Sequence, residues 1–573
     1  MDFEFLRNEI IGNDFFYETP FGRRLLTYTD YTASGRSLKF IEKYLLYIQK
    51  SYANTHTEDD VTGRHMTRLL HKAEELIKKS LNAEKNCYII PNGTGATGAI
   101  AKVQEILGIY IPSATKDRLN SLIDQFIEED ESKKKLIGDI KSYIEKKQPV
   151  IFVGPYEHHS NDIMWREALG EVIEIDLTPE GFLDLDDLEK KVSDPRYKDR
   201  YKIGSFSAAS NVTGLMSPVY DVTRILHKYN AIACFDFAAS GPYVKIDMNK
   251  DDESYLDAIF LSPHKFLGGP GSSGILVINK RLYRTDLAPT FAAGGTVDYV
   301  SSFAYDFSKD VETREKPGTP GVLQIIKAAL SISLKDIIDI DKIEEKEREY
   351  IHRAFEYFSK NPNIQVLGNQ DPDKRVAIFS LLIKHKNKYL HPKLATKLLN
   401  DLFGIQSRAG CSCAGPYGHR LLNIGTDLSM KYREVIESGC QSIKPGWLRV
   451  NFHYTMSEAD FKFVCQAIDF IATNGYLFIP QYKMNIQTGM WSHKDFDEPE
   501  MKEPFGIEHL LKIDFEDCFT EKPINKEQEY EKYLNEAFRI AKEIKATYAE
   551  KKSIKYEDPK AEDLRYFYVN HME

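Results

Sequence analysis

Cysteine is scarce in this chain: seven residues among 573, an odd number scattered over the whole length. That count excludes a disulfide framework and fits a reducing compartment, with the cytoplasm as the default. No apolar run approaches the ~18 residues that a membrane-spanning helix needs. The opening MDFEFLRNEI sets acidic residues among its apolar ones, so it does not read as a signal peptide. Basic residues are in deficit, 76 against 86 acidic, for a net charge of −10. This argues against nucleic acid or an anionic membrane as the main partner. Internal repeats and long low-complexity tracts are missing as well. What remains, 42% hydrophobic and 28% charged, is ordinary for a soluble globular protein. The length predicts about 3–4 domains, although a large α/β domain can absorb more than its share.

The richest stretch is FLSPHKFLGGPGSSGILVI, from Phe260 to Ile278. A strand-like run from Ala258 to Leu261 ends in Ser262, His264 and Lys265, and a glycine-rich turn leads into a second apolar run. A lysine at a strand end, beside a histidine and a flexible turn, has what a Schiff-base enzyme requires: an amine held fixed and partly desolvated. By itself the segment fits a surface lysine before a turn equally well, so its companions decide. CYIIPNGTGATGAIAKVQEIL, from Cys87 to Leu107, reads as a strand, a Gly/Thr turn and a helix. That order aims backbone N–H groups and a helix dipole at an anion. VIFVGPYEHHSND, from Val150, delivers His158 and His159 to a sheet edge. AIACFDFAASGPYVKIDM, from Ala231, sets Asp236 in an apolar run, where a carboxylate needs a cationic partner. The protonated ring nitrogen of pyridoxal 5′-phosphate (PLP) is such a partner.

Together these segments resemble the class V aminotransferase branch of the type I PLP fold, nearest to the cysteine desulfurase and selenocysteine lyase group. The matches run in family order over roughly residues 25 to 475. They are the Gly93–Thr97 turn, EHH at Glu157–His159, SNVTG at Ser210–Gly214, SPHK ending in Lys265 and GTP at Gly318–Pro320. SRAGCSCAGP (Ser407 to Pro416) and WLRVNFHYT (Trp447 to Thr455) follow. The resemblance implies that Lys265 holds PLP and moves a proton at the substrate α-carbon. Gly95, Ala96, Thr97, Ser262 and His264 would contact the phosphate, with Thr296 of a Gly-Gly-Thr segment joining from a second subunit of a homodimer. His158 would stack on the ring, Asn211 would meet its phenolic oxygen and Asp236 its nitrogen. Arg449 would grip the substrate carboxylate, since a planar guanidinium makes two parallel hydrogen bonds to it; Arg408 and His56 are second choices. Cys413 would attack the sulfur of L-cysteine, or the selenium of L-selenocysteine, leaving a persulfide and L-alanine and passing sulfur to an acceptor protein.

Three features depart from the family. Ala239 stands where Gln or His is usual. A segment from about His419 to Lys444, including Cys440, lengthens the distance between Cys413 and Arg449. Cys411 creates Cys-x-Cys, open to persulfide relay, to a regulatory disulfide or to no role; no neighbouring Cys/His pair has structural-zinc spacing. The runner-up function is another class V reaction on a small amino acid: aminotransferase, epimerase or β-lyase. A non-catalytic scaffold is the third, opposed by the intact Asp236 and Lys265.

Alternating strand and helix patterns predict an α/β architecture: a large, mostly parallel sheet domain with helices on both faces and a smaller C-terminal α/β domain. The expected boundaries are residues 1–60 for an N-terminal segment packing across both domains, 61–335 for the PLP-binding domain, 336–473 for the small domain with the cysteine loop, and 474–573 for an extension. A polar insert near 110–148 reads as a helical hairpin whose charge runs are solvated faces.

Overall fold

The computed structural model describes residues 1–573 except 56, 58, 129, 498–505, 514–518, 521–523, 548–553, 571 and 573. The chain forms two compact units. One comprises Lys43–Ser210 with Met216–Ile340, the other Met1–Glu42 with Asn211–Leu215 and Asp341–Glu573.

The first unit is built on seven strands: β1 (Cys87–Pro91), β2 (Val150–Val153), β3 (Glu171–Glu174), β4 (Lys202–Ser207), β5 (Ala231–Asp236), β6 (Ala258–Leu261) and β7 (Ile275–Asn279). β2 and β4 to β7 are buried at every residue, as expected of short apolar runs covered on both faces. The sheet order is β1-β7-β6-β5-β4-β2-β3. Neighbours from β3 through β6 pair in parallel, whereas β7 runs antiparallel to both β6 and β1. The glycine turn after Lys265 is the cause of that reversal, because it joins β6 to β7 without a crossover helix. Helix α1 (Gly95–Ile106) follows β1. Between it and β2 lie helices α2 (Ser113–Ile127) and α3 (Glu131–Lys147), neither of which has a buried residue.

The second unit holds an antiparallel sheet of β8 (Ile364–Val366), β9 (Ile378–His385), β10 (Arg408–Gly410) and β11 (Trp447–Asn451), in the order β8-β9-β11-β10. Its aromatic core brings Phe379 and Phe452 to 5.5 Å and Phe452 and Phe461 to 4.9 Å between ring centroids. The C-terminal extension is part of this core. On helix α4 (Lys526–Thr547), Tyr530 stacks on Phe463 at 3.9 Å and donates to Asp460 at 2.7 Å. Tyr533 accepts from the Leu25 amide at 3.0 Å, and Glu536 pairs with Arg24 at 2.7 Å. The segment around His419–Lys444 contains a helix, Thr426–Glu437, whose Tyr432 donates to the Leu564 carbonyl. Among the described residues no helix is long and apolar enough to cross a membrane.

Candidate active site

In the first unit the sequence candidates gather at the carboxyl ends of β5 and β6 and at the start of α1. Gly95 opens α1 with φ +61, and a Cβ there would stand 2.8 Å from Ser262 Oγ and 3.6 Å from the His264 ring. A Cβ on Gly274 would strike the Gly95 carbonyl at 2.2 Å. Only glycines allow these backbones to approach so closely. The Ala96 amide donates to Ser262 Oγ at 2.9 Å. Thr97 Oγ1 lies 2.7 Å from Ser160 Oγ, and the Ser160 amide donates to His158 Nδ1 at 3.2 Å. Gly95, Ala96, Thr97, His158, Ser262 and His264 are thereby linked around the positive end of a 12-residue helix. Burial pushes His264 down to about 4, with Lys265 acting in the same direction. A neutral imidazole is the result at ordinary pH.

Asp236 is the last residue of β5 and is buried. It accepts from the Ala238 amide at 2.8 Å. Burial raises its carboxyl above the usual range, while the Ala238 N–H and the Lys265 ammonium work against that rise. Lys265 lies in the turn Pro263–Lys265 directly after β6, the strand paired with β5. Beneath them, buried Glu157 accepts from the Ser207 amide at 2.8 Å, the Ser207 hydroxyl at 2.5 Å and Asn161 at 2.6 Å. Burial pushes Glu157 up to about 8 against these bonds, and Asp236 adds to the rise. Ser240 Oγ, beside Ala239, is buried without a hydrogen-bond partner. Thr296 is buried, its hydroxyl donating to the Ala293 carbonyl at 2.7 Å, whereas Gly294 and Gly295 are exposed. These residues fit PLP: glycine-lined N–H groups at a helix start suit a phosphate, and a buried carboxylate beside a lysine suits a cationic ring with an aldehyde.

The second unit assembles Asn211, Arg408, Cys413 and Arg449 around a residue the sequence analysis missed, Asp30. Arg408 on β10 faces Arg449 on β11 in the antiparallel register. Asp30 accepts from Arg408 Nε through one oxygen and from an Arg449 terminal nitrogen through the other, each at 2.9 Å. A second Arg449 terminal nitrogen donates to the Asn211 carbonyl at 3.0 Å. Burial lowers Arg449 from its ordinary value, with Asp30 opposing. Arg449 Nε and Asn211 Oδ1 are buried without a hydrogen-bond partner, which leaves one donor and one acceptor for a ligand. Arg408 is half exposed, with 51% of its side chain accessible. No chemical signal in Thr29-Asp30-Tyr31 points to this role.

Cys413 stands on the turn between β10 and the helix Gly415–Leu421. The Ala414 amide donates to the Cys411 carbonyl at 3.1 Å, and the two residues between, Ser412 and Cys413, have φ +52 and +56. A turn with both central residues left-handed normally uses Asn or Gly; here it contains neither. Holding two such residues costs about 1–2 kcal/mol apiece. The conformation is fastened by Asn211, which donates to the Ser412 carbonyl at 2.6 Å, and by the Trp447 indole, which donates to Ser412 Oγ at 3.2 Å. Cys413 is exposed and Cys411 half-buried. His56 lies outside the described residues.

Residues 137–462, more than half of the chain, match the family described as aminotransferase class-V. A probable cysteine desulfurase of Halalkalibacterium halodurans is 31% identical over 271 residues, which cover 46% of this chain and 62%, under two thirds, of that relative. A probable cysteine desulfurase of Staphylococcus aureus is 26% identical over 415 residues, 71% of this chain and 88% of the relative. In solved structures the fold resembles the apo cysteine desulfurase of Thermococcus onnurineus, with a TM-score of 0.60 at 21% identity, covering 78% of this chain and 95% of the other. A cysteine desulfurase from Escherichia coli aligns with a TM-score of 0.56 at 20% identity, covering 77% and 94%. With its type I fold, the chain belongs to the class V aminotransferases, a family of PLP-dependent enzymes.

Proposed function

We propose that the protein is a PLP-dependent cysteine desulfurase that releases L-alanine from L-cysteine, or from L-selenocysteine, through a persulfide on Cys413. The observation that carries this reading is the turn of Cys413: an exposed thiol on two left-handed non-glycine residues, fastened from Asn211 and Trp447, behind which stand Arg408 and Arg449. Backbone strain held in place by several contacts is a mark of a working residue rather than of a passive core cysteine. The names of the relatives support the same reaction.

Gly95, Ala96, Thr97, Ser262 and His264 would hold the cofactor phosphate, His158 would lie against the ring and Asp236 would keep negative charge at its nitrogen. PLP, when bound, supplies an electron sink for negative charge at the substrate α-carbon. Lys265 Nζ would hold the cofactor and take the α-proton. Arg449 and Arg408 would orient the substrate carboxylate, and the Asn211 amide N–H would serve the cofactor's phenolic oxygen. The Cys413 thiolate attacks the substrate sulfur; the carbon–sulfur bond breaks with its electron pair left on carbon. Sulfur remains on Cys413 as a persulfide, and the carbon takes a proton and departs as alanine. Exposure of Cys413 suits transfer of that sulfur to an acceptor protein. The exposed Gly294–Gly295 segment beside Thr296 suits completion of the phosphate pocket in a second copy, which makes the working unit a homodimer. The few scattered cysteines, all six described ones unpaired, fit a cytoplasmic setting.

The test is a product assay with L-cysteine, L-selenocysteine and a panel of common amino acids. Stoichiometric alanine and persulfide from cysteine is the expected result. A keto acid, an epimer or β-elimination without persulfide would replace this reading with the corresponding class V reaction.

A further inference from the structure

Helices α2 and α3 are joined by residues 128–130 and touch where the Lys133 ammonium lies 4.8 Å over the Phe126 ring. So short a connection makes them an antiparallel pair. Ile123, Ile127 and Ile137 are half-buried and mark the side on which the helices meet. Three large apolar residues of α2 and four of α3 remain exposed; Ile144 (47%) lies nearer the meeting side, and the other six form two stripes. On α2 these are Leu119 (51%), Leu122 (53%) and Phe126 (53%), at i, i+3, i+7; on α3, Leu136 (54%), Ile140 (46%) and Tyr143 (65%), at i, i+4, i+7. At about 100° per residue, each open stripe lies roughly 80° from its own meeting side, in the same rotational sense. Antiparallel helices with equal offsets show both stripes on one side of the hairpin. The result is a two-helix layer with one continuous apolar face and no second layer over it, an arrangement that helical architectures normally complete by packing.

The charges select the occupant. From Asp124 to Lys135 the tip carries five acidic residues against three basic ones, Lys133, Lys134 and Lys135, and so stays net acidic. The root carries Lys116 and Arg118 on α2 and Lys141, Lys146 and Lys147 on α3, against Asp117 and Glu145. Residues 113–147 as a whole are balanced, with eight basic and eight acidic side chains. A surface acidic at one end, basic at the other and neutral overall is complementary to itself turned through a two-fold axis, tip over root. Six side chains, each giving up roughly 100 Å², bury on the order of 600 Å² per copy, or about 1,200 Å² in all, the lower bound of a specific interface.

We infer that the α2–α3 hairpin is a self-association surface: hairpins from two copies of this chain pack face to face, antiparallel, into a four-helix bundle. This contact is independent of the proposed reaction and of any pairing through Gly294–Thr296; it enlarges whatever assembly exists without it. The test is sedimentation of the full-length protein over a micromolar range, beside Leu122→Asp/Ile140→Asp. The wild-type mass should be at least twice that of the variant, whose cofactor absorption and alanine production stay unchanged. A tip reversal, Glu128→Lys/Glu131→Lys, should weaken association at least tenfold at low salt, and adding the root reversal Lys146→Glu/Lys147→Glu should restore it. These four side chains are exposed, so this arm reads the contact even where the apolar variant fails to fold. Equal masses for wild type and the apolar variant, or a combined reversal that fails to rescue, overturns the inference. Loss of alanine production from the wild-type protein would overturn the proposed reaction and leave this contact standing.

Discussion

Arg408 and Arg449 face each other across adjacent antiparallel strands, and one carboxylate, Asp30, spans both guanidinium groups. Two like charges in direct register destabilise a strand pair unless something neutralises them. Asp30 does so from a segment nearly four hundred residues away in sequence. It leaves the cluster with one net positive charge, which matches a single substrate carboxylate.

Asp30→Asn should therefore lower the stability of this unit by about 3 kcal/mol, the cost of leaving buried Arg449 without its counter-charge. Urea unfolding followed by tryptophan fluorescence checks it. A change under about 0.5 kcal/mol would mean that the pair is a surface decoration.

Lys265→Ala should abolish the covalent link to the cofactor. Borohydride reduction of the wild-type protein followed by peptide mapping should label Lys265, and a label on any other lysine contradicts the assignment. Asp236→Asn should retain the cofactor through the phosphate cradle while losing most turnover, because the ring nitrogen then lacks a negative partner. Near-normal turnover in that variant would reduce Asp236 to a structural residue.

Cys413→Ala should leave the protein coloured and able to bind L-cysteine, with alanine and persulfide output collapsed by at least a hundredfold. Cys411→Ala should change output far less, since Cys411 stands two residues before the loop position that the family uses. Selenocysteine turnover should survive in part in Cys413→Ala, because the weaker carbon–selenium bond breaks without thiolate attack. Wild-type alanine output from cysteine in Cys413→Ala would sink the desulfurase reading.

Glu157 gives a pH signature. Its folded-state value of about 8 lies above the ordinary carboxylate value of 4.5, so the folded protein binds the extra proton. Its contribution to stability is fully present below about pH 4.5 and is lost as pH rises toward 8. Subtracting the Glu157→Gln unfolding curve from wild type should isolate a slope of up to about 1.4 kcal/mol per pH unit in that window. Parallel curves for the two proteins would show that Glu157 is ionised when folded.

The central sheet was legible because its chemistry sits at strand ends: the apolar run Ala258–Leu261 is β6, residue for residue, and Asp236 closes β5. A fully buried strand leaves a contiguous apolar word in the sequence. The antiparallel β7 was legible in principle from the glycine turn, which is too short for a crossover. Asp30 was not, because its partners are set by tertiary register rather than by neighbours. The turn at Ser412–Cys413 was also hidden, since glycines at 410 and 415 flank the positions that actually adopt positive φ. The packing of the extension is equally hard to see in the sequence, since α4 is rich in Lys and Glu. Its anchors are two tyrosines, Tyr530 and Tyr533, which occupy buried positions that a charge-rich composition conceals.

Those tyrosines also set an order of events during synthesis. The sheet unit spans residues 43–340 with one short interruption, so all its strands leave the ribosome while more than two hundred residues are still to come. The other unit draws Leu25 from near the start of the chain and Tyr530, Tyr533 and Phe567 from near its end into one apolar core. Its first hairpin, Phe16–Thr19 against Gly22–Leu25, must wait for its core partners until the chain has been made past Phe567. The early segment is thus exposed to chaperones, or to a neighbouring nascent chain, for the longest time of any part of the molecule.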